Sequence, residues 1–202
     1  MLDRPALALL RPLLDATAAR LVRAGAGADA VTFVACGLGL LGALAIASHA
    51  PIAGLVLILA GRFADGLDGA VARLTTPTDR GAFLDIVLDF VFYASVPLAF
   101  AVADPAANAL PAAVLLAAFI GTGSSFLAFA ALAARRGLAN AAYPGKGLYY
   151  LGGLTEGTET IVCFTAMCLL PEAFPLLAWI FAALCGVTLL ARLVAGWRLL
   201  GP

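Results

Sequence analysis

Two stretches decide how this chain reads: Asp65-Gly66-Leu67-Asp68-Gly69-Ala70-Val71-Ala72-Arg73 and, seven residues on, Gly81-Ala82-Phe83-Leu84-Asp85-Ile86-Val87-Leu88-Asp89. They place four carboxylates inside what otherwise reads as two membrane-spanning helices. An acidic residue at the centre of a spanning helix costs about 2.5–3.5 kcal/mol on insertion scales, so four cost on the order of 10 kcal/mol unless something binds them. Hard divalent cations are the natural partner for clustered carboxylates. The spacing supports a shared site. Asp65 and Asp68 lie three residues apart on one helix face, with Gly69 and Ala72 along the same stripe. Gly81, Asp85 and Asp89 recur at intervals of four and form a second stripe. Two antiparallel helices joined by the turn at 74–80 would face these stripes toward each other. The small residues Gly69, Ala72 and Gly81 would admit a close backbone or a ligand. Arg73 would sit at the mouth, where a cation can meet anionic phosphate. Metal carboxylates beside an arginine suit phosphoryl transfer. The plainer alternative, helix caps and salt bridges with Arg73 or Arg80, does not require two acidic pairs in register.

Composition agrees with membrane burial. Of 202 residues, 63% are apolar and 12% charged, and the mean hydropathy is +1.05. A soluble domain would carry about 25% charged residues. The expected fold is all-α: a polytopic membrane protein of one domain, residues 1–202. A spanning helix needs ~20 mostly apolar residues, and by that measure six spans are expected, near 29–48, 52–73, 80–103, 108–133, 150–170 and 175–197. Together they form a bundle over 29–197. Residues 3–24 read differently. Leu7, Leu10, Leu14 and Leu21 recur at helical spacing among Arg4, Arg11, Asp15, Arg20 and Arg23, which predicts an amphipathic helix on the membrane surface. No cationic leader followed by a cleavage-type site is evident, so the N-terminus is expected to be retained.

Charge placement sets an expected orientation. With the N-terminus in the cytoplasm, Arg4, Arg11, Arg20, Arg23, Arg73, Arg80, Arg135, Arg136, Lys146 and Arg198 fall on the cytoplasmic side, while the opposite loops near His49, Asp104 and Glu172 carry no Lys or Arg. That is a positive-inside pattern. It puts both termini and the carboxylates toward the cytoplasm of a bacterial-type inner membrane, where nucleotide-activated substrates occur. The net charge of zero gives no reason to expect a nucleic-acid partner. Cys36, Cys163, Cys168 and Cys185 form no C-x-x-C and lie in apolar spans, so they read as buried small hydrophobes. His49 falls in an outer loop.

The pattern D-x-x-D-G-x-x-A-R … G-x-x-x-D-x-x-x-D, carried by Asp65, Asp68, Gly69, Ala72, Arg73, Gly81, Asp85 and Asp89, resembles the signature of the CDP-alcohol phosphatidyltransferases. Seven residues separate Arg73 from Gly81, fewer than is usual in that family. The resemblance implies a reaction in phospholipid biosynthesis in which the hydroxyl of a polar alcohol displaces CMP from a CDP-linked lipid such as CDP-diacylglycerol. It implies two divalent ions, Mg²⁺ or Mn²⁺, bound by Asp65, Asp68 and Asp85, with Asp89 as a ligand or near-ligand that also accepts the acceptor's proton. A free hydroxyl is a poor nucleophile and needs such a base. Gly69, Ala72, Arg73 and Gly81 would line the nucleotide and diphosphate site. Arg62, one turn before Asp65, would either orient a carboxylate or simply offset its own burial. Asp29 and Thr32 match a weaker family element at the start of the first span, although an N-cap role explains Asp29 equally well. A homodimer is expected from the resemblance; Gly81, Ala94, Ala99, Ala101, Gly121 and Gly123 are compatible with it, but small residues also pack within one chain.

The acceptor is less legible. Glu156 and Glu159 form a polar patch in an apolar span, and intramembrane carboxylates mark functional sites; pairing with Arg192 is the alternative. Together with Lys146, Arg135 and Arg136 they are the acceptor-site candidates, although the two arginines also fit as positive-inside anchors. Basic residues would suit a phosphorylated acceptor, glutamates an amino alcohol or neutral polyol. Two other classes could use intramembrane carboxylates: a divalent-cation transporter, which would not need D-G-x-x-A-R, and a non-catalytic scaffold, which need not keep all four aspartates.

Overall fold

A computed structural model describes residues 3–137 and 153–200, and they are helical almost throughout. Helix α1 spans Asp3–Arg23, α2 Ala28–Ala47, α3 Pro51–Leu74, α4 Asp79–Ala103, α5 Pro105–Arg135, α6 Gly157–Leu169 and α7 Phe174–Leu199, with one 3-10 turn at Pro171–Ala173. Among the described residues, six helices follow α1 in the expected order. Four segments are long and apolar enough to cross a membrane: α2, α4, α5 and residues 171–199, which carry α7. The other two depart for reasons visible in their residues. Helix α3 has 24 residues, but Arg62, Asp65, Asp68 and Arg73 interrupt its apolarity. Helix α6 has only 13. Outward faces are apolar as well: Phe33, Leu44, Leu110, Ile120 and Leu190 are all exposed, as a lipid-facing surface requires. The chain is a multi-pass, all-α membrane protein.

The expected continuous helix over 150–170 is corrected. Residues 153–156 are not helical, and α6 begins at Gly157. Other partners take the backbone groups that a helix would have paired. The Thr188 hydroxyl oxygen on α7 accepts the N–H groups of Leu154 and Thr155, both at 3.2 Å. The Glu156 carboxylate accepts the Gly153 N–H at 3.0 Å. Irregular backbone at membrane depth is tolerated where it is buried in protein or lines a cavity, and Thr155 and Glu156 satisfy both conditions.

Helix α1 lies on α3 as an amphipathic helix should. Leu14 and Ala18 are buried in a cluster with Leu67, Ala70 and Val71, while Arg11, Asp15 and Arg20 are exposed. Gly25, at φ +83°, ends the helix: its N–H bonds to the Val22 carbonyl and the Ala26 N–H to that of Leu21, both at 3.0 Å. This is a Schellman closure, which favours glycine at the left-handed position. It turns the chain directly into α2.

Helices α2 and α3 meet nearly backbone to backbone. A Cβ on Gly42 would stand 2.8 Å from the Gly54 carbonyl oxygen, one on Gly54 2.6 Å from Ile46 Cγ1, and one on Gly61 2.9 Å from the Ala35 carbonyl oxygen. Only glycine permits this approach. Beneath it lies a core that includes Ile46, Ile58, Phe92, Val96, Phe164 and Met167, closed by Phe100 stacked on Phe174 at 4.5 Å between ring centroids. Of the small residues offered for a dimer face, three pack inside the chain: Ala99 is buried, Gly121 packs beside Leu189 and Gly123 against Phe90; Ala94 is exposed.

Gly42→Leu should force α2 and α3 apart and lower stability by about 1–3 kcal/mol, read as a lower melting temperature in detergent. Gly37→Leu, at a position with open space around it, should leave the melt unchanged.

Candidate active site

The close α2–α3 contact and the helical stripes of α3 and α4 build the site together. One carboxylate oxygen from each of Asp65, Asp68 and Asp85 lies within 4.8 Å of the others. Asp68 is buried, Asp65 half-buried and Asp85 exposed. Asp68 accepts a hydrogen bond from the Thr32 hydroxyl at 2.7 Å, and that hydroxyl also lies 3.0 Å from the Ala28 carbonyl of its own helix. Three hard oxygen donors this close repel one another unless a cation lies among them, and an all-oxygen set suits Mg²⁺ or Mn²⁺. The residues therefore fit a divalent ion.

Asp89, one turn beyond Asp85, is not among this mutually close set. Its Oδ1 lies 2.7 Å from Arg62 Nη1, and the same nitrogen is 3.3 Å from Asp65 Oδ2. Arg62 thus bridges α3 to α4, and its guanidinium lies over the Phe92 ring at 4.3 Å from the centroid. A planar cation on an aromatic face with two carboxylates is held in one orientation. These distances are those of an ion pair, which both orients the two carboxylates and offsets the burial of Arg62.

Two cavities flank the carboxylates. The larger, about 620 Å³, opens between the α1–α2 junction, the end of α3 and the start of α4. Asp29, Thr32, Gly69, Ala72 and Gly81 all line it, with Asp68 and Asp85 among their neighbours. Asp29 is not the N-cap of α2; Gly27 holds that position without a side-chain bond. Asp29 instead pairs with Arg80 at 2.6 Å, tying α2 to the first turn of α4. Arg73 does not line this cavity. It stands at the edge, with Nη1 3.4 Å from where a Cβ on Gly69 would be and Nη2 3.7 Å from Asp15 of α1. Thr78 caps α4, accepting the Gly81 N–H at 3.0 Å.

The smaller cavity, about 300 Å³, lies among α4, α5, α6 and α7. Asp89 lines it, as do Tyr93, Thr122, Glu156, Thr160 and Arg192. Of the acceptor candidates, Glu156 belongs to this lining. Glu159, in the first turn of α6, does not, and neither do the exposed Arg135 and Arg136 at the end of α5. Lys146 lies outside the described residues. Arg192 is buried and donates from Nη1 to the Thr122 carbonyl at 2.9 Å. Sequence reasoning passed over Thr122 and Thr188; isolated hydroxyls in apolar helices are a weak signal, since threonine often bonds back to its own helix.

A carboxylate cluster flanked by two cavities in a membrane bundle suits a membrane-bound enzyme that uses a divalent ion. Over residues 26–191 the chain matches the family CDP-alcohol phosphatidyltransferase, and it belongs to that family. It is 50% identical over 197 residues to inner membrane protein YnjF of Escherichia coli (strain K12), a match covering 98% of this chain and 96% of that protein. Its fold is similar to that of Mycobacterium tuberculosis phosphatidylinositol phosphate synthase (PgsA1) solved with CDP-DAG bound, at TM-score 0.75 and 22% identity, covering 92% of this chain and 94% of that one. The same enzyme in complex with manganese and citrate aligns at TM-score 0.73 and 23% identity, covering 91% and 88%. The chain is an enzyme of this class, acting in phosphatidyl transfer from a CDP-linked lipid.

Thr32→Val should remove the bond that orients Asp68. An expected 10–100-fold loss in divalent-ion affinity, about the usual cost of losing such a supporting contact, can be read by isothermal titration with Mn²⁺. Thr32→Ser, which keeps the hydroxyl, should retain most of it.

Proposed function

We propose that this enzyme joins the phosphatidyl group of CDP-diacylglycerol to the hydroxyl of a small polar alcohol and releases CMP. The observation that carries the reading is the position of the carboxylates between the two cavities, with Asp68 and Asp85 on the larger and Asp89 on the smaller. The larger cavity is the site for cytidine and diphosphate. Its mouth is lined by small residues, Gly69, Ala72 and Gly81, which leave room for a nucleotide, with Arg73 at the edge to meet phosphate oxygens. The smaller cavity is the acceptor site.

Asp65, Asp68, Asp85 and Asp89 would hold a pair of divalent ions, Mg²⁺ or Mn²⁺, a reading supported by the carboxylate cluster and by the manganese in the similar enzyme. Bound there, the ions would neutralise the diphosphate and stabilise the attacking and leaving oxygens. The chain's own residues do the rest. Asp89, fixed by Arg62 at 2.7 Å, faces the acceptor and takes its hydroxyl proton. The acceptor oxygen forms a bond to the phosphorus bearing the diacylglycerol, the bond from that phosphorus to the CMP oxygen breaks, and CMP leaves through the larger cavity. The excess of arginine and lysine on one side of the bundle supports a cytoplasmic active site and cytoplasmic termini. The name of the Escherichia coli relative supports an inner-membrane location. Assembly as a homodimer rests on the family resemblance.

Purified protein in detergent should release CMP from CDP-diacylglycerol in the presence of Mg²⁺ or Mn²⁺ and an acceptor alcohol, and EDTA should stop it. Asp89→Asn should lower turnover by about 10²–10⁴-fold, the usual contribution of a general base, with CDP-lipid binding largely kept. Asp68→Asn should weaken metal and CDP-lipid binding together. Equal loss of CDP-lipid binding in both variants would contradict the division of roles.

A further inference from the structure

We infer, on the acceptor-site reading above, that the smaller cavity takes an alcohol bearing no phosphate, and that Glu156 selects against the phosphorylated counterpart. Among the described residues, the charged groups lining it are Asp89, Glu156 and Arg192. Asp89 is already paired with Arg62 at 2.7 Å, so the carboxylate that distinguishes this lining is Glu156, and Nη1 of Arg192 is engaged by the Thr122 carbonyl at 2.9 Å. The rest of the polar lining is hydroxyl: Tyr93, Thr122, Thr155 and Thr160. Arg135 and Arg136 are exposed and outside this lining.

Glu156 and its loop are held by a set of hydrogen bonds. Its Oε1 accepts the Gly153 N–H at 3.0 Å. Its neighbours Leu154 and Thr155 are clamped to the Thr188 hydroxyl oxygen by their N–H groups, and the Thr155 hydroxyl lies 3.0 Å from the same atom. Its own carbonyl accepts both the N–H and the hydroxyl of Thr160, at 3.0 and 2.8 Å. Glu156 and Thr160 are buried, so the carboxylate acts through a low-dielectric space in which like charges repel far more strongly than in water. A phosphate entering with its alcohol would meet the Glu156 carboxylate. The hydroxyls of a polyol, or the ammonium of an amino alcohol, would instead find acceptors in the Glu156 carboxylate and the lining hydroxyls. The selection changes nothing in the reaction: the same hydroxyl oxygen attacks the same phosphorus, and its proton goes to Asp89.

The test uses the full-length protein in detergent with CDP-diacylglycerol and Mg²⁺. Glycerol competes against glycerol 3-phosphate, myo-inositol against inositol monophosphate, and ethanolamine stands as a cationic acceptor. Lipid products are identified by mass. The expected result is product from one or more of the unphosphorylated alcohols, and a preference over the phosphorylated partner that falls by about tenfold or more in Glu156→Gln. Glutamine keeps an oxygen for the Gly153 N–H, so the local fold is retained, and an unchanged melting temperature checks this. Preferential use of glycerol 3-phosphate or inositol monophosphate by the wild type overturns the inference and leaves the phosphatidyl-transfer reading intact. So does a preference unchanged in Glu156→Gln. Consumption of CDP-diacylglycerol by none of the five alcohols, although it stabilises the protein against heat, also counts against this acceptor class. Failure of the parent reading looks different: CDP-diacylglycerol would neither stabilise the protein nor be consumed.

Discussion

Asp65, Asp68 and Asp85 bring three carboxylate oxygens within 4.8 Å of one another inside a bundle whose outward faces are apolar. Both the repulsion among them and their removal from water act against folding, and much of the architecture follows from the need to offset these costs. Arg62 supplies a cation from within α3 and reaches Asp65 and Asp89 together. Thr32 supplies a hydroxyl from α2, on the same pair of helices that Gly42, Gly54 and Gly61 bring together. On the proposed reading, a divalent ion would supply the remaining positive charge. The glycine contact and the bond that orients Asp68 thus share one helix pair.

The same constraint explains why helix α3 does not resemble an ordinary span. Its first half packs as apolar helix, with Ile58 fully buried, and its second half carries the acidic pair and Arg73. Helix α1 covers that half from the side, burying Leu14 and Ala18 against Leu67, Ala70 and Val71 and holding Asp15 near Arg73. A surface helix that reads as a membrane anchor is thus also a wall of the region around the site. On the far side of the carboxylates, the chain gives up helix at 153–156 and lines a cavity with the freed segment, its backbone groups taken by Thr188 and Glu156. The two cavities meet at the aspartates because one helix end is interrupted by charge and another by unwinding.

How much of this was legible in the sequence follows from what each feature depends on. The carboxylate stripes were readable, since spacing along a helix fixes the face, and Asp65, Asp68 and Asp85 do converge. So were Asp29, Thr32, Gly69, Ala72 and Gly81 as residues of one cleft. The bond from Arg62 to Asp89 was not, because it joins two helices through residues 27 positions apart. Glu156 and Glu159 read as a pair on one helix; only the tertiary clamp from Thr188, more than 30 residues away, unwinds the segment and separates them. The N-cap reading of Asp29 failed as well: Gly27 holds that position, and Asp29 makes a long-range ion pair with Arg80.

The central claim is that Asp65, Asp68 and Asp85 form the divalent-ion site between the two cavities. Anomalous diffraction from crystals grown with Mn²⁺ tests it most directly. The account predicts manganese bonded to oxygens of these three aspartates, with Asp89 beside it and facing the smaller cavity. Manganese bound elsewhere, for example by Glu156 and Glu159, with none among the three aspartates, would contradict it.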